Sequence, residues 1–333
     1  MKMSLKSRVI ELLRSHQGSY IPQSYIHRAL GASKSRISEI LRELEREGLI
    51  SRISIGRTKI IYIHPQRGEL EQEPLRRKLR LGVVYSSEYL FLGNFIKKLR
   101  DKGIEVEALI YRDGLEATIA LAKGAIDLAL SPLIGQLYMY PVYRTYRIVL
   151  SGLKGGFRVL GSRTRGEIYS SIISTMDYVR YYLISRNLVD ASRTIYYRDP
   201  DQLITVLKRG GYVVTWHPVY LDLEKRGLKT IYTWRDLELD FCCTLGVSST
   251  VGRKTSALIE KAYIDSIEEF KKNPDKGIEY YASLTGIDIS ILKSAISEYQ
   301  VSEGIDTRTI DNLTGAFAFN VPSRSIFYEA CKI

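Results

Sequence analysis

A regular alternation of short apolar runs with helical segments constrains this chain more than any other feature of its sequence. It begins at Leu79, where the apolar runs LRLGVVY and IEVEALIY are separated by a segment with the periodicity of an amphipathic helix. This order of elements is typical of a parallel sheet with helices packed on its faces. The alternation returns in a later stretch that ends at LKTIYTW, and a closing helical region begins near Arg253. The sequence therefore predicts an α/β architecture with two similar halves.

Positive charge is concentrated at the N-terminus. Residues 1–80 contain 17 Lys and Arg against 8 Glu and no Asp, a net charge of +9, whereas the rest of the chain carries only +3. Such an excess is the electrostatic footprint of a nucleic-acid-binding module, although a solvated helical face produces it as well. The chain is also rich in Ile, Arg and Glu and poor in Cys and Met, which is a composition found in thermophiles.

Three helices are predicted in this basic region. The first spans Ser4 to Ser15 and carries one apolar stripe. Pro22 begins a short second helix, which Gly31 ends. Ser33 is a good N-cap for a third helix, which continues to about Glu47. The apolar stripe of this third helix consists of Ile37, Ile40, Leu41 and Leu44.

Two alternating runs, LISRISI and TKIIYIH, follow the third helix and predict a β-hairpin. Three helices followed by a basic hairpin resemble the winged helix-turn-helix family of archaeal-type regulators over about residues 4–64, and SRISEILRELEREGLISR is similar to that family's passage from recognition helix to wing. The resemblance implies that the third helix enters the major groove of double-stranded DNA. The predicted DNA-binding residues are Gln23, Ser33, Lys34, Ser35, Arg36, Ser38, Arg42, Arg52, Arg57 and Lys59.

The stretch HPQRGELEQEPLRRK is polar, contains two prolines and lacks apolar periodicity, so it is predicted to be a linker. The predicted domains are a winged helix-turn-helix over residues 1–66, a linker over 67–78 and an α/β domain over 79–333. In the α/β domain, lobe 1 is predicted over about 79–160 with part of the C-terminus, and lobe 2 over about 161–245.

The α/β domain resembles the type 2 periplasmic-binding-protein fold, in particular the group that binds nitrate, sulfonates and thiamine precursors. The resemblance rests on LRLGVVYSSEYL and on IEVEALIYRDGLEATIALAKGAIDLALSPL, and it spans about residues 79–300. The family's phrase GxxDLAxxP occurs here at Gly124, Asp127, Leu128, Ala129 and Pro132. The resemblance implies two lobes that close on a small molecule, as in the effector domains of LysR-like regulators.

Ligands of open α/β sheets bind beyond the carboxyl ends of the strands or between lobes. Hydroxyl, guanidinium and aromatic groups occur at these ends, and the loop SGLKGGF could present N–H groups to an anion. The same residue types also serve as turn residues, surface ion pairs or core aromatics. The predicted binding residues for a small polar or anionic metabolite are Tyr85, Ser86, Ser87, Tyr111, Arg112, Asp113, Ser131, Pro132, Gly152, Gly155, Gly156, Ser174, Thr175, Trp216 and His217.

Cysteine and histidine content argues against a metal site or a disulfide framework. Of the three cysteines, Cys242 and Cys243 are adjacent and Cys331 is distant, with no CxxC pair. We expect buried free thiols, no metal and no cofactor. The N-terminus lacks the apolar segment of a signal peptide, and no run approaches the ~18 residues of a membrane span. The chain is therefore expected to be cytoplasmic, without a membrane partner.

Three functions are compatible with these features. The first is a non-enzymatic transcription regulator that binds DNA as a homodimer and senses a small-molecule effector. The second is an enzyme similar to menaquinone- or thiamine-pathway enzymes of the same fold, with Glu88 or His217 as acid or base and an attached DNA-binding domain. The third is a structural DNA binder whose large domain only oligomerises. The basic helical region favours a DNA-binding role, and no GxSxG, HExxH or P-loop motif supports catalysis.

Overall fold

The computed structural model describes residues 3–16, 20–55, 58–63, 74–161, 166–205, 210–237, 239, 242–302, 304–305, 309–311, 313 and 325–331. Arg57, which was predicted to contact DNA, and most of the predicted linker lie outside these residues. No helix in the described part of the chain is long and apolar enough to cross a bilayer.

The N-terminal unit consists of three helices and a small antiparallel sheet. The sheet has the order β1-β3-β2, and its first strand was not predicted from the sequence. The elements are α1 (Leu5–Arg14), β1 (Tyr20–Pro22), α2 (Gln23–Ala29), α3 (Lys34–Arg46), β2 (Ile50–Ile55) and β3 (Thr58–Ile63).

Local chemistry explains where two of these helices begin. The Ser4 hydroxyl accepts a hydrogen bond from the Ser7 N–H, and the Ser33 hydroxyl accepts one from the Arg36 N–H. Each bond satisfies an amide that has no partner within its helix. The predicted apolar stripe of α3 is confirmed, because all four of its residues are buried. The unit has a hydrophobic core of its own, formed by Val9, Leu13, Ile21, Ile26, Ile37, Ile40, Leu41, Leu44, Ile50, Ile61 and Ile63.

Lobe 1 is built on a five-stranded sheet of order β5-β4-β6-β14-β7. Strands β4, β5 and β6 are parallel, whereas β14 runs antiparallel to both of its neighbours. Its elements are β4 (Lys78–Val84), α4 (Leu92–Arg100), β5 (Glu105–Tyr111), α5 (Gly114–Ala122), β6 (Leu128–Pro132), α6 (Leu133–Tyr143), β7 (Tyr146–Ser151) and β14 (Cys243–Ser248).

Lobe 2 repeats this arrangement in a sheet of order β11-β10-β12-β9-β13. Strands β10, β11 and β12 are parallel, and β9 is antiparallel to its two neighbours. Its elements are β9 (Phe157–Gly161), β10 (Gly166–Ser171), α7 (Thr175–Ser185), β11 (Ala191–Tyr197), a 3-10 turn (Pro200–Thr205), β12 (Tyr212–Trp216), α8 (Val219–Lys225), β13 (Lys229–Thr233) and α9 (Trp234–Leu237).

Within the described residues, the chain crosses between the lobes twice, which confirms the predicted two-lobed α/β architecture. The first crossing passes through β8 (Leu153–Gly155), which pairs with β15 (Tyr299–Val301). The second crossing returns the chain to lobe 1 as β14, between β6 and β7. Between Ser151 at the end of β7 and Phe157 at the start of β9, the chain therefore passes from lobe 1 through the crossing into lobe 2.

A helical region closes the fold, and its predicted start at Arg253 is confirmed. Its first helix packs on α4, where the rings of Phe91 and Phe95 meet the ring of Tyr263 edge-on at centroid distances of 5.2 and 5.5 Å. The elements are α10 (Arg253–Lys272), α11 (Ile278–Thr285), α12 (Ile289–Ala295), a 3-10 turn (Ile296–Glu298) and α13 (Ser325–Cys331).

The N-terminal unit docks on lobe 1 through its small sheet and α2. Tyr20 and Ile60 are buried in the core cluster of lobe 1. The Tyr20 N–H donates a hydrogen bond of 3.0 Å to the carboxylate of Glu260 on α10, and the Arg28 guanidinium lies 5.2 Å from the centre of the Tyr328 ring. The exposed face of α3 takes no part in these contacts.

Candidate functional site

The candidate site is the cleft between the two lobes. Its mouth is a cavity of about 370 Å³ to which Tyr85 and Arg112 contribute from lobe 1. Lobe 2 contributes the segment around Asp199 and Asp201 and the start of α8 near Asp222. The carboxyl ends of the parallel strands β4 and β12 meet here, which is where the sequence analysis placed the ligand.

An ion pair spans the cleft mouth. The Arg112 guanidinium lies 3.1 Å from carboxylate oxygens of both Asp199 and Asp201, so it joins lobe 1 to lobe 2. Arg112 was predicted to bind an anionic ligand; its guanidinium is engaged with these carboxylates in the structure. Because the pair is exposed to water, it stabilises closure only weakly and leaves the lobes able to separate.

A second set of contacts, partly or fully buried, joins the lobes further in. The Trp216 indole N–H donates to the Tyr85 carbonyl at 2.7 Å. The Ser87 N–H donates to the His217 carbonyl at 3.1 Å, and the Ser87 hydroxyl lies 2.7 Å from Nδ1 of His217. Four predicted site residues, Tyr85, Ser87, Trp216 and His217, are therefore brought together as an interlobe seam.

His217 is the seam residue that titrates in the acid range. Its ring is buried and lies edge-on to Tyr220 at a centroid distance of 5.2 Å. Burial lowers the pKa of His217 from 6.5 to about 4, since desolvation penalises the charged imidazolium. The imidazole is therefore neutral at neutral pH. Its Nδ1 can either accept a hydrogen bond from the Ser87 hydroxyl or donate one to it.

Acid is expected to weaken the folded state through His217. Its pKa is lower in the folded chain, about 4, than in the unfolded chain, about 6.5, so the unfolded state binds the proton first. The His217 contribution is therefore complete above pH 6.5 and decreases as pH falls toward 4. At pH 5 the loss is about 2 kcal/mol.

Urea unfolding of the parent and of His217→Gln across this pH range measures the effect. Groups common to both proteins cancel in the difference between the two unfolding free energies. That difference should shrink by about 2 kcal/mol between neutral pH and pH 5. A difference that stays constant with pH would show that His217 titrates normally in the fold.

Glu88 lies at the inner end of the cleft, directly after the seam. Its carboxylate accepts hydrogen bonds from the Cys242 thiol at 3.1 Å and from the Cys243 N–H at 3.2 Å. Burial raises the pKa of Glu88 to about 7. Within the described part of the chain, no cationic side chain pairs with this carboxyl group.

Ser174 and Thr175 lie at the N-terminus of α7, on the lobe 2 side of the cleft. The Ser174 hydroxyl caps the helix by accepting from the Asp177 N–H and lies 2.7 Å from the Ser171 hydroxyl. The Thr175 hydroxyl approaches the Cys242 sulfur at 3.7 Å. Ser86 of lobe 1 lies 3.3 Å from the Tyr299 hydroxyl. All of these predicted residues are buried at the lobe junction.

Several predicted ligand residues have structural roles within lobe 1. Asp113 caps α5 by accepting from the Leu115 N–H at 2.7 Å. The Ser131 hydroxyl accepts from the Thr118 hydroxyl at 2.9 Å. Tyr111 is half-buried beside the lobe 1 core, and Pro132 is buried at the end of β6.

Two amides of the glycine loop in the first crossing already have partners within the fold. The Gly152 N–H donates to the Cys243 carbonyl at 3.3 Å, and the Gly156 N–H donates to the Glu298 carbonyl at 2.9 Å. A Cβ atom on Gly155 would lie 3.0 Å from the Trp234 ring. These contacts correct the expectation of an anion-binding loop, since the loop packs against neighbouring elements instead.

The predicted DNA-binding residues are distributed over several environments. Lys34, Ser35, Arg36, Arg42 and Lys59 are exposed, and Arg36 forms a 2.8 Å ion pair with Glu39. Arg52 is half-buried and pairs with Glu45 at 2.6 Å. Gln23 and Ser33 lie at the starts of α2 and α3, and Ser38 is half-buried.

Three solved structures have a similar fold but are distant in sequence. The ligand-binding component of an ABC-type import system from Staphylococcus aureus, solved with zinc bound, aligns with a TM-score of 0.62 and 15% identity over 78% of this chain and 100% of that one. The alkanesulfonate-binding protein SsuA from Xanthomonas axonopodis pv. citri, bound to MOPS, gives 0.60 and 13% over 73% and 92%. The aliphatic sulphonate-binding SsuA from Escherichia coli gives 0.59 and 14% over 76% and 87%.

The lobes therefore have a periplasmic-binding-protein-like fold. This confirms the fold resemblance seen in the sequence. Residues 2–64 match a domain family described as a domain of unknown function, DUF7343. No curated protein matches the chain in sequence.

The residues that pair with Arg112 across the cleft were not predicted from the sequence. Asp199 and Asp201 were not among the predicted site residues, because nothing in the sequence around them indicates that they pair with Arg112. The Arg158 guanidinium pairs with Glu224 at 2.8 Å and with Glu298 at 3.0 Å, which ties β9 to the C-terminal region. These contacts join positions far apart in the chain, which a local pattern cannot reveal.

Proposed function

We propose that this protein is a ligand-responsive DNA-binding transcription regulator. In this proposal, the N-terminal unit is a winged helix-turn-helix, and the two-lobed body senses a small polar or anionic metabolite without converting it. The observation that carries the proposal is the position of α3. Its cationic residues Lys34, Arg36 and Arg42 are exposed to solvent, while the unit is held to the body through β1, β3 and α2.

The charge of the N-terminal region supports contact with a polyanion. The net charge of +9 over residues 1–80 would attract duplex DNA and release its counterions. Three residues at the start of α3, Lys34, Ser35 and Arg36, are short or flexible donors suited to phosphate and base edges. One such unit makes few base contacts, so we propose a cytoplasmic homodimer that reads two half-sites.

The closed cleft supports a sensing role for the body. The exposed pair of Arg112 with Asp199 and Asp201 and the buried seam at His217 both cross between the lobes. A ligand that binds between the lobes would change the population of this closed arrangement. The sulfonate-binding proteins with a similar fold make a small anion a reasonable effector class.

Helix α10 connects the cleft with the N-terminal unit. On α10, Tyr263 lies near Glu88 and Cys243. Burial raises the pKa of Tyr263, and electrostatic interaction with these two groups adds to the rise. One turn earlier on the same helix, Glu260 accepts the hydrogen bond from the Tyr20 N–H. A shift of α10 on ligand binding would therefore reach β1 directly, which gives the proposal a physical route for coupling.

Arg36→Ala is expected to weaken DNA binding about 5- to 150-fold, which corresponds to about 1–3 kcal/mol for a base contact. The measurement is fluorescence anisotropy with a duplex selected from a random library by the parent protein. Lys102→Ala removes an exposed cation from the body and serves as the matched control, with unchanged affinity expected.

Salt supplies an independent check on the same duplex. The logarithm of the association constant should decrease steeply as the logarithm of the salt concentration rises. The slope should be about −0.9 for each neutralised phosphate. An affinity that is flat with salt, or an Arg36→Ala protein that binds like the Lys102→Ala control, would contradict the assignment of α3 as the DNA-reading helix.

A further inference from the structure

Two thiols and a carboxylate converge at the inner end of the cleft. Glu88 follows strand β4, whereas Cys242 and Cys243 arrive with the second crossing, so the cluster joins two distant segments. All three side chains are buried. One ligand atom from each, namely two sulfurs and a carboxylate oxygen, lies within 4.8 Å of the others.

The electrostatics of this cluster suit a cation. No cationic side chain of the described residues balances the Glu88 carboxylate, which has only the Cys242 thiol and the Cys243 N–H as donors. The Tyr263 hydroxyl nearby is buried without a hydrogen-bond partner in the described part of the chain. A buried carboxyl group without a cationic side chain beside it is ionised at low cost only where a cation such as a metal ion offsets the loss of hydration.

The spacing of the two sulfurs also suits a metal. They lie 3.8 Å apart, and two thiolates bound at ~2.3 Å to one tetrahedral zinc ion are about 3.8 Å apart as well. The carboxylate oxygen is 3.1 Å from the Cys242 sulfur, so only a small movement would be needed to place a cation between them. The donor set of two soft thiolates and one carboxylate favours zinc over magnesium or calcium.

We propose that Glu88, Cys242 and Cys243 form a binding site for a thiophilic divalent cation of the zinc class. The hydrated cation enters while the lobes are open, loses water, and displaces the thiol protons to solvent as both sulfurs bind as thiolates. Three protein ligands leave one coordination position open. Thr175 of lobe 2 also lies beside the cluster, with its hydroxyl 3.7 Å from the Cys242 sulfur.

The position of the site links a cation to lobe closure. Glu88 directly follows Ser87, whose N–H and hydroxyl contact His217 of lobe 2. A cation held by Glu88 and the two cysteines would tie the end of β4 to the chain that enters β14. The proposed cation site lies in the two-lobed body alone, so the existence of the site does not depend on DNA binding.

The test is a Cd²⁺ titration of the full, reduced and metal-free chain without DNA. Cadmium replaces zinc at thiolate sites and gives a sulfur-to-metal charge-transfer absorption. We expect one equivalent of Cd²⁺ to produce this absorption and Zn²⁺ to abolish it by competition. If the parent chain shows no such absorption with one equivalent, the proposal is overturned whatever the variants do.

Matched variants assign the ligands. Cys242→Ser and Cys243→Ser should lose most of the absorption, and Glu88→Gln should keep it but bind Zn²⁺ at least about tenfold more weakly. Cys331→Ser is the control, because this buried thiol lies at the end of α13 in a separate core cluster. Thermal melting of each metal-free variant identifies those that fold. An absorption lost in Cys331→Ser but kept in both other cysteine variants would also overturn the proposal.

Discussion

Glu260→Ala is expected to lower the free energy of unfolding by about 3 kcal/mol and to loosen the N-terminal unit from lobe 1. The Glu260 side chain is fully buried, accepts a 3.0 Å hydrogen bond from the Tyr20 N–H and forms a 3.1 Å ion pair with Arg147. Its removal would leave the Arg147 guanidinium and the Tyr20 amide without this partner. Urea unfolding at neutral pH measures the loss.

The same helix offers a matched control for Glu260. Glu268 lies two turns further along α10, is partly exposed and pairs with Lys271, so Glu268→Ala should cost less than about 1 kcal/mol. Glu260→Gln keeps an acceptor for Tyr20 but loses the charge, and should fall between the two. If Glu260→Ala is no more destabilising than Glu268→Ala, the docking contact contributes little and the route from cleft to N-terminal unit loses its main link.

Gly156→Ala is expected to cost about 3 kcal/mol or more, because two penalties combine. Gly156 has a φ of +66°, a left-handed conformation that costs other residues roughly 1–2 kcal/mol. An added Cβ would also clash with the ring of Tyr299, and overpacking of this kind costs about 1–3 kcal/mol. Thermal or urea unfolding of the variant measures the sum.

Gly103→Ala separates the two penalties. Gly103 has a φ of +77° but nothing within 4 Å of an added Cβ. Gly103→Ala should therefore lower the free energy of unfolding only by the backbone penalty of roughly 1–2 kcal/mol. Because Tyr299 also contacts Ser86, displacement of its ring by the Gly156 variant should weaken the lobe junction. Equal destabilisation by the two substitutions would show that the Tyr299 ring moves aside freely.

The architecture of the lobes could be predicted because it depends on local periodicity. The parallel strands β4, β5 and β6 and their helices each carry their own apolar pattern, which survives in a single sequence. The same is true of α3, whose stripe faces the core as predicted. The insertion of β14 between β6 and β7 could not be predicted, since strand order is decided by long-range packing.

The candidate site was predicted only in outline. Strand ends such as Tyr85 and Trp216 were located because the fold places ligands there, and the structure brings them together. Their individual roles depend on partners that are remote in sequence: Glu88 and Cys242 are 154 positions apart. The adjacent cysteines were noted, but the position of Glu88 beside them has no signal in the spacing of residues along the chain.

The place of β14 has a consequence for how this protein is made. Translation delivers the parallel strands of lobe 1 first, but the strand that joins β6 to β7 emerges only after all of lobe 2 has been synthesised. Until then the nascent lobe 1 has an unfilled gap in its sheet with unpaired backbone edges. Lobe 2, whose five strands are contiguous in the chain, can complete its sheet on the ribosome before the lobe that precedes it.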